Sequence, residues 1–311
     1  MLKILPKWLL PIFLIWVMSL GFASAQITTK TSAITIEPFL QQINIQSGQR
    51  QPTFFINVKN NTPGLYNFKA RVVDFGSLNE TGGVLFAGNQ SNELVKKYGL
   101  AKWLVVSNPI QTLAGGQTVK LNFTVDNRSD LAPGGHYAAI ILTDISRHGQ
   151  SSLPRVGLQN NISSLIFANK TDGAKHGLSL ISINDNHQLL TTANEVRLKF
   201  KNTGNVHVVP RGEVKIIGPF GKVVGKASIN NESAIILPES ERTFIVKLHS
   251  TSSAFLPGHY KTFVEYRYDG QAKTNQAKIS HFYVGWPIII LIFSMAIWYY
   301  RAKLAKLIHK Q

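Results

Sequence analysis

Val119-Lys120-Leu121-Asn122-Phe123-Thr124-Val125 alternates apolar and polar residues without a break. Successive side chains of a strand point to opposite faces, so this segment belongs to a sheet with one buried and one wet face. Similar short runs rich in Val, Ile, Phe, Tyr and Thr, bounded by Gly, Pro and Asn, predict strands at 53–58, 66–73, 102–106 and 137–142. Helical periodicity is nearly absent from this part of the chain. Two half-wet sheets bury their apolar faces against each other, which predicts a β-sandwich.

The scheme recurs downstream, with strands predicted at 196–200, 212–217, 243–248 and 260–266. Leu113-Ala-Gly-Gly-Gln-Thr-Val-Lys-Leu followed by Leu131-Ala-Pro-Gly-Gly-His-Tyr137 is echoed by Leu237-Pro-Glu-Ser-Glu-Arg-Thr-Phe-Ile followed by Phe255-Leu-Pro-Gly-His-Tyr260. Each half thus shows a turn, a strand, a Pro-Gly corner and an aromatic opening the next strand. The expected fold is all-β: two tandem immunoglobulin-like sandwiches, residues 26–172 and 173–282, with the boundary in the polar stretch 169–175. Tyr137 and Tyr260 are the expected structural corner residues, each hydroxyl tied to nearby backbone. Residues 75–100, with Gly76, Gly82, Gly83 and Gly88, read as the longest irregular excursion and a place for binding.

The chain ends frame these domains. Lys3 and Lys7 precede an apolar run at 8–22 and then Ala23-Ser24-Ala25, the pattern of a signal peptide over 1–25. Residues 283–300, YVGWPIIILIFSMAIWYY, carry no charge and have aromatics at both ends, which predicts one transmembrane helix. The basic tail 301–311, with Arg301, Lys303, Lys306 and Lys310, is then expected in the cytoplasm and the sandwiches outside the cell. The absence of cysteine suits a bacterial surface better than an animal ectodomain.

The 33 Lys and Arg against 16 Asp and Glu, net charge +17, favour anionic partners. The basic residues are scattered and no nucleic-acid-binding signature occurs, so wall polymers and lipid head groups are the nearer polyanions and no nucleic acid is expected. No H-E-x-x-H or G-x-S-x-G motif is present, and cysteine nucleophiles are impossible. The nine histidines are dispersed and read as surface or turn residues, so no metal and no cofactor is expected. Asp126, Asp130 and Asp144 form the densest acidic group of the first half, but Asp126-Asn127-Arg128-Ser129-Asp130 reads as a turn. Asn202-Thr203-Gly204-Asn205 and Pro219-Phe220-Gly221-Lys222 read as turns too. No enzyme is expected.

The order of parts resembles the WxL-interacting surface proteins of Gram-positive bacteria. The resemblance rests on Ile36-Glu37-Pro38, on Gln46-Ser47-Gly48-Gln49 leading to Phe54-Phe55-Ile56-Asn57-Val58-Lys59-Asn60, on Asn79-Glu80-Thr81-Gly82-Gly83-Val84-Leu85-Phe86, and on Leu131-Ala132-Pro133-Gly134-Gly135-His136-Tyr137. It implies a peptidoglycan-binding first domain, a host-binding second domain and no catalytic residues. The expected function is a membrane-anchored binding or scaffold protein engaging a cell-wall polymer or another surface protein. The alternative is a chaperone-like assembly protein that accepts a strand from an exported subunit.

Overall fold

A computed structural model describes residues 33–46, 48–87, 93–145, 161–188, 192–251 and 256–308, with side chains to 303. The expected signal peptide lies outside these residues. All elements below belong to one unit that begins at Ile34.

The first sandwich contains β1 (Ile34–Glu37), β2 (Leu40–Ile45), β3 (Thr53–Asn60), β4 (Tyr66–Ser77), β5 (Val84–Phe86), the short helix α1 (Glu93–Lys97), β6 (Leu104–Val106), β7 (Ile110–Leu113), β8 (Thr118–Val125), β9 (Gly134–Asp144) and β10 (Asn161–Lys170). One sheet runs β1-β3-β8-β6 and the other β2-β10-β9-β4, with β5 and β7 both paired to β4. The chain crosses between sheets at Pro38, so β1 pairs antiparallel with β3 while β2 runs parallel to β10. Strand β8 does what its alternation demands: Leu121, Phe123 and Val125 are fully buried, and they meet Ile56, Phe68, Ile140 and Ile166 in the core. Truncating a side chain such as Phe123 to Ala in a core of this kind costs about 3–5 kcal/mol.

The second sandwich contains β11 (Leu178–Asp185), β12 (Glu195–Asn202), β13 (Arg211–Ile217), β14 (Val223–Ile229), β15 (Glu241–Lys247), β16 (His249–Ser250), β17 (Gly258–Arg267) and β18 (Asn275–Tyr283). A three-stranded sheet, β11-β12-β15, faces a five-stranded one, β16-β14-β13-β17-β18. Its core gathers Val196, Leu198, Phe200, Val214, Val264 and Tyr266. Between β13 and β14 the turn at Pro219 puts Phe220 at φ 60° and leaves its ring almost wholly exposed.

The C-terminal helix α2 (Trp286–Ile308) departs from the expected span. Tyr283 is the last residue of β18, paired with Gly258 and buried, and Gly285 turns the chain at φ 77° before the helix starts. Only about 15 residues then precede Arg301, roughly 22 Å of helix against a hydrocarbon core of about 30 Å. Among the described residues no helix is long and apolar enough to cross a membrane. The helix also runs through Arg301 and Lys303 to Ile308, so the tail does not begin as a separate segment at 301.

Candidate functional site

Strand β9 is buried on both faces, which a half-wet sheet does not require. Ala138, Ile140 and Leu142 point into the first sandwich, while Tyr137, Ala139 and Ile141 form the floor of a second apolar layer with Phe75 of β4 and Phe167 of β10. The rings of Phe75, Tyr137 and Phe167 pack edge-on or tilted, with centroids 5.2–5.9 Å apart. The second sandwich supplies much of the cover. His207 sits 5.2 Å from the Phe167 ring, and Ile235 and Leu237 pack on the same layer.

Tyr137 bolts this contact. Its hydroxyl accepts the backbone N–H of His207 at 2.9 Å, so the side chain expected to close a corner in its own sandwich reaches across to the other one. Burial pushes its phenol well above the usual tyrosine range. The same desolvation holds the His207 imidazole neutral, with its pKa lowered to about 4. Tyr260, the other expected corner residue, donates its hydroxyl to the Leu256 carbonyl four residues upstream, at 2.8 Å.

The described residues of the stretch 75–100 include the end of β4, β5 and α1 with turns between them, and they grip the second sandwich. The Glu80 carbonyl accepts the Thr243 N–H at 2.8 Å, and its carboxylate meets Lys199 at 2.6 Å. Glu239 accepts the Tyr98 hydroxyl at 2.7 Å and pairs with Lys97. The ion pairs are exposed and contribute at most about 1 kcal/mol each, so they set orientation more than strength.

Beside this contact an apolar groove of about 290 Å³ stays open. Leu40, Leu165 and Phe167 form one wall and Ile235 and Leu237 another, with the exposed ring of Phe39 at the rim. Arg242 of β15 is its cation. The guanidinium donates to the Ile235 carbonyl at 2.8 Å and lies 5.5 Å over the Phe244 ring. Burial lowers its pKa and the nearby Glu232 carboxylate opposes that shift; Glu232 and Glu241 line the groove with it. The groove also runs up to a strand edge. Strand β2 pairs β10 only from Leu165 onward, where the Leu165 N–H donates to the Phe39 carbonyl at 2.8 Å. By strand alternation Asn161 and Ser163 aim their backbone groups to the same side, past the start of β2, where no described strand pairs with them.

Other sequence candidates are accounted for locally. Asp126 pairs with Arg128 at 2.6 Å, and Asp130 accepts from Lys102 at 3.0 Å and from the Trp103 indole at 3.2 Å. Asp126 and Asp130 thus serve local ion pairs, both of them acting on Arg128. The histidines differ most from expectation, because His136 and His281 are buried and His207 is largely so. His187, His281 and Asp185 come together as a group able to hold a metal ion. His187 and His281 lie far apart in sequence, so no spacing motif could have signalled it.

No family model matches this chain, and a search of curated proteins gave no match. Among solved structures it is similar to the class 5 fimbriae chaperone CfaA, at 13% identity and TM-score 0.41 over 81% of this chain and 99% of that one. It is similar to the E. coli chaperone DraB, at 15% identity and TM-score 0.37 over 78% and 95%. It is also similar to the Salmonella enterica SafA pilin in complex with the SafB chaperone, at 12% identity and TM-score 0.39 over 81% and 98%.

Proposed function

We propose that this protein is a non-enzymatic binding protein whose groove receives an extended segment of an exported partner protein, in the manner of an assembly chaperone. One observation carries the reading: an apolar groove of about 290 Å³ lined by Leu165 and Phe167 of β10, next to Asn161 and Ser163 of the same strand, which no described strand pairs on the β2 side. Backbone groups with no described strand partner, beside apolar pockets, fit a partner strand, which gains affinity from main-chain hydrogen bonds and specificity from alternate side chains. Arg242 stands in the groove with Glu232 and Glu241, so a segment with polar groups of either sign finds a complement along the apolar walls.

Helix α2 gives this binding module an address. Ile290, Leu291, Ile292 and Phe293 are consecutive and each is more than half exposed, so the helix offers apolar surface all round. Water does not tolerate such a helix bare, and a bilayer covers it without requiring a particular face. In this reading α2 is seated against a membrane without crossing it, with Arg301 and Lys303 extending toward head groups, and holds the sandwiches there.

The test is co-isolation of the full chain with exported proteins from its own cells, comparing wild type with Ser163→Pro. Proline on an open edge removes a donor without breaking a ladder bond. The reading expects a defined exported protein with wild type that is lost with the variant. Equal recovery from both, or recovery of wall polymer alone, contradicts it.

A further inference from the structure

We propose that the second sandwich holds a divalent transition-metal ion, of the zinc class, on Asp185, His187 and His281. One ligand atom from each of the three lies within 4.8 Å of the others. Four ligands at about 2.0–2.1 Å from a tetrahedral ion stand roughly 3.3 Å apart, so small side-chain movements close the set. His187, with a side chain 37% exposed, is placed to make them, while Asp185 at 1% and His281 at 4% are held by the surrounding structure.

The independent sign of a missing partner is His281. Both of its ring nitrogens are buried and neither makes a hydrogen bond of sound geometry among the described residues, although Nδ1 lies 3.3 Å from Asp185 Oδ2. Orphaned polar atoms in a dry interior are costly and rare. The imidazoles of His187 and His281 stack at 4.0 Å and 9°, a contact between ring faces that leaves the His281 nitrogens unsatisfied. The surrounding contacts are those of a built ligand set. Asp185 accepts from the Thr262 hydroxyl and lies against His187 Nδ1, so the carboxylate is oriented. Two imidazoles and one carboxylate suit zinc better than calcium or magnesium, which prefer oxygen.

The placement states what the ion does. Asp185 ends β11 of the three-stranded sheet, whereas Thr262 on β17 and His281 on β18 belong to the five-stranded sheet. An ion here ties one sheet to the other, two residues before the chain leaves β18 for the helix. In a chain without cysteine it takes the place of a cross-sheet staple. His187, at the solvent side, leaves a fourth position for water.

The experiment strips the full chain in detergent with a chelator and titrates it with Zn²⁺ against a chromophoric competitor, following the melting temperature in parallel. One Zn²⁺ per chain is expected, with a Tm that rises as free zinc exceeds its Kd. His187→Ala and Asp185→Asn should each weaken binding at least about 30-fold, Thr262→Val about tenfold, and His176→Ala and His259→Ala should leave it unchanged. If His281→Ala does not fold, the half-exposed His187 position decides alone. Absence of a stoichiometric site, or zinc binding that survives His187→Ala undiminished, overturns the proposal.

Discussion

Asn60 and Asn202 occupy matching strand-end positions in the two sandwiches and share three hydrogen bonds. Each ends a strand, β3 or β12, and each is completely buried. Each side-chain amide donates to the carbonyl four residues on, Gly64 at 2.7 Å and Val206 at 2.7 Å, and each Oδ1 accepts the N–H two residues on, Thr62 at 2.9 Å and Gly204 at 2.8 Å. Each amide also reaches a second segment, Leu113 in one case and Ile236 in the other, at 3.2 and 3.0 Å. One asparagine thereby ties the turn after its strand to a neighbouring segment of the same sandwich. Asn60→Ala and Asn202→Ala should each destabilise the protein by about 3 kcal/mol, because buried amide and carbonyl groups lose their partners. Urea unfolding of the full chain in detergent measures this.

The Tyr137 hydroxyl leads to a second expectation. Tyr137→Phe leaves the buried His207 N–H unpaired and should cost about 1–2 kcal/mol, whereas Tyr260→Phe frees a carbonyl within one loop and should cost about 1. Hydrogen exchange separates them further. The first variant should lose protection at His207, and the second near Leu256.

Acid should weaken the contact between sandwiches. The folded His207 pKa of about 4 lies below the unfolded value of about 6.5, so its neutral form costs nothing above pH 6.5. As pH falls from there toward 4, the unfolded chain takes up a proton that the folded one refuses, and stability is lost. Asp269 opposes this shift and His176 reinforces it; His136, also lowered by burial, adds in the same direction. Between pH 7.5 and 5 the His207 part amounts to up to about 2 kcal/mol. His207→Gln should flatten that part of the pH profile.

Helix α2 should govern partition. Deleting residues 286–311 should move the protein from the membrane fraction to the soluble one while the sandwiches keep their cooperative unfolding. A truncated chain that still sediments with membranes at high salt would place the membrane contact elsewhere.

Sequence patterning reads strands such as β8 directly, because one face is wet and the alternation shows. It reads β10 poorly: Leu165 and Phe167 face the second sandwich while Ile166 and Ala168 face the core, so the run is apolar on both faces and loses its period. Asn202-Thr203-Gly204-Asn205 is legible as a turn, but its kinship with Asn60-Asn61-Thr62 is not, since only the shared hydrogen bonds reveal it. The helix start was hidden for a different reason. Tyr283 and Val284 are apolar enough to extend a membrane segment on paper, yet β17 claims Tyr283 for the sheet. The groove draws on residues near 40, 75, 165 and 235, and no local motif spans such distances.

The central claim is that the groove and the β10 edge hold a partner's strand, and a photo-crosslinking amino acid at Phe39 tests it most directly. Placed in the full chain in its own cells, it should attach to one extended, alternately apolar segment of an exported protein. The same probe at Phe220, on the exposed turn of the second sandwich, should not. Arg242→Met or Ser163→Pro should reduce the Phe39 product at least about tenfold, the loss expected when a charge-assisted or strand-pairing hydrogen bond is removed. Equal crosslinking from Phe39 and Phe220, or a Phe39 product unaffected by both variants, would contradict the account.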